Sequence, residues 1–271
     1  MCELLGMNSN LPTDICFSFK GFQVRGGGTA VHADGWGIAF FEGCGVRTFH
    51  DPKPSCQSPI AKLVSSYPIH STNVIAHIRK ATKGGSRLEN THPFQRELWG
   101  RHWVFAHNGT LATFAPALNG RFRPVGTTDS ELAFCWIMQE LYAEFGECAP
   151  DVNIVFDRLR QFAIELAQHG QINFILSNGD CLYAHCSTKL NYLVRQAPFA
   201  EAHLIDEDVT MDFSTVMSSG ERAVVIATTP LTDEDWIPMR AGSLWCFEDG
   251  KVIANAATIA SKDNPLTGNC G

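Results

Sequence analysis

Residues 172–185, INFILSNGDCLYAH, hold two apolar runs, Ile172 to Leu176 and Cys181 to His185, on either side of Asn178-Gly179. Asn-Gly readily supplies the two positive-φ residues of a tight hairpin turn, so the stretch predicts two antiparallel strands. Asp249-Gly250 repeats the signal between Leu244 to Phe247 and Lys251 to Ile253, and Ala223 to Thr228 predicts a buried strand. The last third of the chain therefore reads mostly as sheet. Upstream, Trp36 to Phe41 and Val46 to Phe49 flank a Gly43-Cys44-Gly45 turn. Val74 to Ile78 and Trp103 to Ala106 predict two further strands, each ending in polar residues, His77-Ile78-Arg79 and His107-Asn108-Gly109. Between these runs lie helices. Ser58-Pro59 opens a short one, with serine as cap and proline at the first helical position. Thr128 or Asp129 caps a second, whose apolar face is Leu132, Trp136, Ile137 and Leu141. A third runs from about Val152 to Gln168 on a stripe of Val155, Phe156, Leu159, Phe162 and Leu166, stopped by Gly170. Two packed sheets with helices outside use all of these elements, and residues 1–271 read as one α+β, sandwich-like domain.

The 271 residues are 45% hydrophobic, enough for a substantial core. The net charge of −7 argues against sequence-independent binding to nucleic acid or anionic membrane. No run approaches the roughly 20 apolar residues of a membrane span, and MCELLGMNSN lacks the basic and apolar regions of a secretory signal. The ten cysteines show no Cys-x-x-Cys spacing. Apart from Cys2 they read as small buried hydrophobes in a reducing cytoplasm. The ten histidines and ten cysteines show no zinc-type spacing, so no metal site is expected, and no cofactor is called for.

Four segments carry chemistry. Cys2 becomes residue one if the initiator methionine is trimmed, as it is before small side chains. It then carries a thiol and an α-amine whose pKa, about 7.7–8.0, suits it to take the thiol proton near neutrality. Arg79, in His77-Ile78-Arg79-Lys80-Ala81-Thr82, offers a fork that matches a carboxylate, or a surface ion pair. Asn108-Gly109 fits an oxyanion hole, with glycine allowing close backbone approach, or an ordinary Asn-Gly turn. Asp129, in Thr127-Thr128-Asp129-Ser130-Glu131, fits a helix cap that also faces a ligand ammonium. Taken together they suit glutamine: carboxylate on Arg79, ammonium on Asp129, oxyanion on Asn108 and Gly109, amide carbon on Cys2.

The combination resembles the class II glutamine amidotransferases, N-terminal-nucleophile hydrolases with an N-terminal cysteine, and within them the stand-alone YafJ-like group. The segments that carry the resemblance are Met1 to Gly6, Asp34-Gly35-Trp36-Gly37, His77 to Thr82, Asn90 to Phe94, His107 to Leu111 and Thr128 to Glu131. They stand in the family's order and lie within about residues 2–145. The resemblance implies a four-layer αββα sandwich with two mostly antiparallel sheets. It implies attack of Cys2 on the γ-amide, release of ammonia and hydrolysis of a γ-glutamyl thioester. It places the carboxylate-binding pair on Arg79 and Thr82, a pocket histidine on His92, the oxyanion pair on Asn108 and Gly109, and the ammonium-binding aspartate on Asp129. Asp34 to Gly37 reads as a structural turn without catalytic role. Lys80 and Lys83 stand where the sugar-phosphate synthase branch has tryptophan and histidine.

No acceptor-binding synthase domain is expected after residue 145, so ammonia transfer would need a separate synthase or acceptor subunit; a homodimer is also open. Two other readings remain: hydrolysis of other γ-glutamyl amides or peptides, as in thiol metabolism, and a non-catalytic ligand-binding scaffold. Residues 83–89, with Lys83-Gly84-Gly85-Ser86-Arg87, read as a flap over the site.

Overall fold

Strand alternation explains the architecture of the computed structural model, which describes residues 2–30, 32–80 and 85–258. The elements run β1 (Glu3–Thr13), α1 (Cys16–Gln23), β2 (Trp36–Glu42), β3 (Gly45–Asp51), α2 (Pro59–Val64), β4 (Ser71–Ile78), β5 (Phe94–Leu98) and β6 (Arg101–Leu111). Then come α3 (Asp129–Phe145), α4 (Val152–Ala167), β7 (Gly170–Ser177), β8 (Leu182–Cys186) and β9 (Asn191–Gln196). The chain closes with β10 (Glu201–His203), β11 (Thr210–Asp212), β12 (Arg222–Ala227), β13 (Ile237–Pro238), β14 (Ser243–Glu248) and β15 (Lys251–Ala257). One sheet has the order β13-β9-β12-β1-β4-β2-β3, the other β15-β14-β8-β7-β6-β5, and β10-β11 is a separate ribbon. Neighbouring strands in both sheets are antiparallel.

The central strands of both sheets bury both faces, so their two sets of alternate residues enter different cores. Leu4, Ala39, Ile75, Val104, Ala106, Ile175, Leu182 and Ile226 fill the space between the sheets. Leu5, Met7, Ile38, Val74, Ala76 and Val225 point the other way and meet Phe19, Phe22, Ala61 and Val64 of α1 and α2. On the far side, Trp103, Phe105, Phe174 and Tyr183 pack on Phe134, Ile137, Leu159 and Phe162 of α3 and α4. The result is the expected four layers, helix–sheet–sheet–helix. Burying each large apolar side chain contributes roughly 1.5–3 kcal/mol.

Both hairpin signals hold. Asp249 and Gly250 take φ of 51° and 68°, as the β14–β15 turn needs, and Gly179 takes 95°. Thr128 caps α3 by accepting the Glu131 N–H at 3.1 Å, and Glu131 reaches back to the N–H groups of Val125 and Gly126. Two expectations fail. β6 does not end at Ala106 but runs on through Asn108 and Gly109 to Leu111, because these residues pair with Asn173 and Ile172 of β7. Asn108-Gly109 is therefore strand, not turn. The cysteines are not uniformly buried either: Cys135, Cys181, Cys186 and Cys246 are, but Cys44, Cys56 and Cys148 are exposed. Cys44 lies in a turn, Cys148 in a bend and Cys56 in a single 3-10 turn, all three outside the packed faces of the sheets and long helices.

Candidate active site

The inner faces of the two sheets are apolar along their middle and polar at one end. On β1 the inward set is Leu4 and, two residues earlier, Cys2; on β4 it is Ile75, His77 and then Arg79; on β6 it is Val104, Ala106 and Asn108; on β7 it is Ile175 and Asn173. Period-two alternation thus delivers a cysteine, an arginine and two asparagines to one end of the interior.

There, Asn108 grips the backbone of Cys2 from both sides. Its Oδ1 accepts the Cys2 N–H at 2.9 Å, and its Nδ2 donates to the Cys2 carbonyl at 2.5 Å. The partners fix the amide orientation, since a backbone N–H can only donate and a carbonyl can only accept. The Lys80 N–H donates to Cys2 Sγ at 3.2 Å, and Sγ lies 3.5 Å from the Lys80 carbonyl. The contact is made by backbone, so the departure from tryptophan at position 80 leaves it intact. Burial pushes the Cys2 thiol pKa up, against the pull of the Lys80 N–H and Arg79. A thiol in that state needs a base at neutral pH.

Two residues that the sequence reading passed over brace this arrangement. Asn173, 1% exposed, donates to the Asn108 carbonyl at 3.1 Å and to Thr188 Oγ1 at 2.8 Å. Its Oδ1 gathers the N–H groups of Ser187, Thr188 and Lys189 at 3.0, 3.0 and 3.3 Å. An asparagine inside the apolar run Ile172 to Leu176 was the available signal. Arg25, also buried, donates to Asp206 and to the carbonyls of Thr229 and Pro230, and lies 3.6 Å from Glu3. It ties the start of β1 to the chain leaving β12. Only a lone arginine before Gly26-Gly27-Gly28 marked it.

Arg79 is held by its main chain: its N–H donates to the Gly35 carbonyl at 2.8 Å, and its own carbonyl accepts from Asp34 at 3.2 Å. Gly35 has φ of 112°, and a Cβ on Gly37 would meet the His92 carbonyl oxygen at 2.3 Å. Asp34 and Gly35 form a bend that leads into β2, whereas Trp36 and Gly37 are already strand, so a tight turn over all four residues is not what the chain adopts. The Arg79 guanidinium donates to the Gly85 carbonyl. Thr82, and residues 83–84 of the expected flap, lie outside the described residues; within 85–89, Ser86 donates to Asp34 at 3.1 Å.

Asp129 shows no direct contact with Cys2. Its carboxylate accepts from the Leu111 N–H at 2.7 Å and the Ser130 N–H at 2.9 Å, so it is anchored to β6 three residues beyond Asn108. Gly109 is set by closeness: a Cβ there would lie 1.9 Å from the Gln171 carbonyl oxygen. Gly109→Ala is expected to split β6 from β7 and destabilise the fold by at least about 3 kcal/mol, the scale of severe backbone or overpacking changes. An unchanged urea midpoint would contradict this.

Behind the cysteine lie buried histidines. The His77 and His92 ring centroids lie 4.2 Å apart with planes tilted by 37°, and the Phe94 ring lies 4.4 Å from that of His92. His107 meets Ser130 Oγ at 2.9 Å and the Gln171 carbonyl at 3.1 Å. Burial is the leading cause that pushes all three imidazoles down, His77 to about 3, and it takes His185 to about 4. They are therefore neutral at pH 7. The unfolded chain, with imidazoles near 6.5, binds more protons than the folded one below that pH. Stability is full above about 6.5 and lost as pH falls toward the folded values, by up to about 1.4 kcal/mol per pH unit for each imidazole. Urea midpoints at pH 7.5 and 5.5 should differ accordingly; equal midpoints would show that these rings are not buried neutral.

Among the described residues no group of three or more His, Cys, Asp or Glu could hold a metal ion, and no helix is long and apolar enough to cross a membrane.

A cysteine near the N-terminus thus lies between the sheets of an αββα sandwich, clasped by an asparagine of the facing sheet. The family described as class II glutamine amidotransferases matches residues 1–268, and the chain belongs to it. The chain is 53% identical over 250 residues, 91% of its length and 98% of the relative's, to the protein named "Putative glutamine amidotransferase YafJ" of Escherichia coli (strain K12). A crystal structure of a predicted glutamine amidotransferase from Pseudomonas aeruginosa PA01 superposes with a TM-score of 0.75 at 43% identity, covering 93% of this chain and 100% of that one. Glutamine phosphoribosylpyrophosphate amidotransferase of B. subtilis shares the fold at 13% identity and a TM-score of 0.53, over 96% of this chain and 50% of that one.

Proposed function

We propose that this protein hydrolyses the γ-amide of glutamine with Cys2 as nucleophile, once Met1 is removed. The observation that carries the reading is the 2.9 Å contact between Asn108 Oδ1 and Cys2 N. A free α-amine at that nitrogen would donate one proton to Oδ1 and turn its lone pair to the thiol. The amine takes the thiol proton as Sγ attacks the amide carbon. The oxyanion is met by the second Nδ2 proton of Asn108, the first being given to the Cys2 carbonyl, together with the Gly109 N–H. The tetrahedral intermediate collapses as the C–N bond breaks, and the ammonium returns its proton to the departing ammonia. Water then attacks the γ-glutamyl thioester with the same amine as base, giving glutamate and the free thiol.

In this reading Arg79 and Thr82 hold the substrate carboxylate, Asp129 holds the ammonium, and His92 backs the pocket as a neutral ring. The three depressed imidazoles are poor bases, which leaves the α-amine as the group suited to the task.

An electrophilic glutamine analogue with a diazoketone in place of the amide tests the proposal. Peptide mapping is expected to place one adduct per chain on an N-terminal Cys2, with loss of glutamine turnover in step. An adduct on another residue, or none, would overturn it. Turnover of glutamine beside that of γ-glutamyl peptides separates the two substrate classes that share this head group.

A further inference from the structure

Asn108 and Gly109 share one peptide unit. Its carbonyl belongs to Asn108 and its N–H to Gly109, and in a planar trans unit the two point in opposite directions. Whatever holds the carbonyl therefore aims the N–H. The hold comes from β7. In the β6–β7 register Asn108 stands against Asn173, and Gly109 against Ile172. The Ile172 backbone is turned away from β6: its N–H donates to Ser187 Oγ at 3.0 Å, and its carbonyl meets His185 Nδ1 at 2.6 Å. Backbone groups alternate between the two edges of a strand, so β7 offers those of Asn173 to β6 and none to Gly109. The Gly109 N–H consequently points to the other edge of β6. That edge is covered by β5 only from Arg101 to Phe105, four residues short of Gly109.

The side chain of Asn173 adds to this. Its Nδ2 donates to the Asn108 carbonyl at 3.1 Å, a bond the strand ladder does not require. A donor at the carbonyl end of a peptide polarises the conjugated unit, and the N–H at the far end becomes the stronger donor. The same bond keeps the peptide plane from turning. Asn173 cannot swing away. Its Nδ2 also donates to Thr188 Oγ1 at 2.8 Å, and its Oδ1 accepts from the N–H groups of Ser187, Thr188 and Lys189. Those three groups can only donate, which fixes the amide orientation. At 1% exposure Asn173 is out of reach of a substrate. An apolar side chain would fill an interior strand position without the cost of burying an amide. The amide stands instead behind the one peptide whose N–H is left to face the cleft.

We propose that Asn173 is a positioning residue of the oxyanion hole. It sets the direction and the donor strength of the Gly109 N–H through the peptide that Gly109 shares with Asn108. The inference rests on the reading of Asn108 and Gly109 as the oxyanion pair.

Asn173→Asp and Asn173→Ala test it. The aspartate keeps an acceptor for the three N–H groups and gives up the amide donor to the Asn108 carbonyl; the alanine gives up both. Competent sites are counted with the diazoketone analogue of glutamine, and kcat is expressed per labelled Cys2, so that unfolded protein drops out of the comparison. In both variants kcat per site is expected to fall about tenfold to hundredfold, less than the roughly 10²–10³ for outright loss of an oxyanion donor. KM for glutamine should stay within about twofold, because the interaction lost is one made in the transition state. Thr188→Val deletes the other acceptor of the Asn173 Nδ2 group and should leave kcat within about twofold. The inference is overturned if both Asn173 variants keep the parent's kcat per site, or if Thr188→Val loses as much as they do. Loss of labelling in both variants would overturn it too, by making Asn173 part of the frame alone. A parent inert to glutamine would remove the proposed function and this inference with it; an active parent with undiminished variants would remove this inference alone.

Discussion

Protein whose Cys2 α-amine is blocked is expected to lose glutamine hydrolysis by about 10²–10⁴-fold, the usual contribution of a positioned general base. The chain can be produced behind a leader with a protease site that leaves Cys2 as the first residue. Before cleavage the Cys2 nitrogen is an amide, with no basic lone pair, though it can still donate to Asn108 Oδ1 at 2.9 Å. The fold and the thiol are thus the same in both forms, and only the base changes. The thiol, pushed up by burial, cannot supply its own thiolate at pH 7. Cleavage should switch activity on, and its acid limb should follow an amine near 8 rather than an imidazole. Equal activity before and after cleavage would remove the amine from the mechanism.

Asn108→Asp is the second large effect. The carboxylate can still accept the Cys2 N–H, so half of the clasp survives. The other half inverts: an oxygen replaces the Nδ2 that donated to the Cys2 carbonyl at 2.5 Å, and two acceptors then face each other. The variant also brings negative charge to the place where the oxyanion develops. Loss of one oxyanion donor alone costs about 10²–10³ in kcat, so at least 10³-fold is expected here, with KM less affected. Asn108→Ala serves as a control that removes the donor without adding charge, and it should be the milder of the two. If the aspartate variant kept activity within about tenfold of the parent, Asn108 would not face the reacting carbonyl.

The strands and helices of the sandwich were legible wherever one rule governed a segment. The α3 cap at Thr128 and the hairpins at Asn178-Gly179 and Asp249-Gly250 rest on local dihedral and hydrogen-bond preferences, which tertiary contacts did not oppose. Asn108-Gly109 shows where that reading stops. As a dipeptide it signals a turn, but pairing with Asn173 and Ile172 keeps it extended. No local pattern reveals the partner strand 65 residues away. The eight-residue α1, with glycine inside it, and the short β9 to β11 and β13 carry too weak a period to stand out. Among the candidate residues, Cys2 was legible from its place at the N-terminus, and Arg79 and Asn108 as polar residues that follow apolar runs. Asn173 and Arg25 were not, because their roles lie in partners that only the folded chain supplies.

β1 lies inside its sheet, flanked by β12 and β4, and Asn108 holds both backbone groups of Cys2. Aminopeptidases need an extended, accessible terminus, which a strand docked on both edges does not offer. If Cys2 works through a free α-amine, as proposed, removal of the initiator methionine is expected to be fastest on the nascent chain, before Asn108 closes on the Cys2 backbone. Maturation and folding would then be in a race, and the proposed reading expects protein made faster than its terminus is processed to accumulate as a well-folded but silent population.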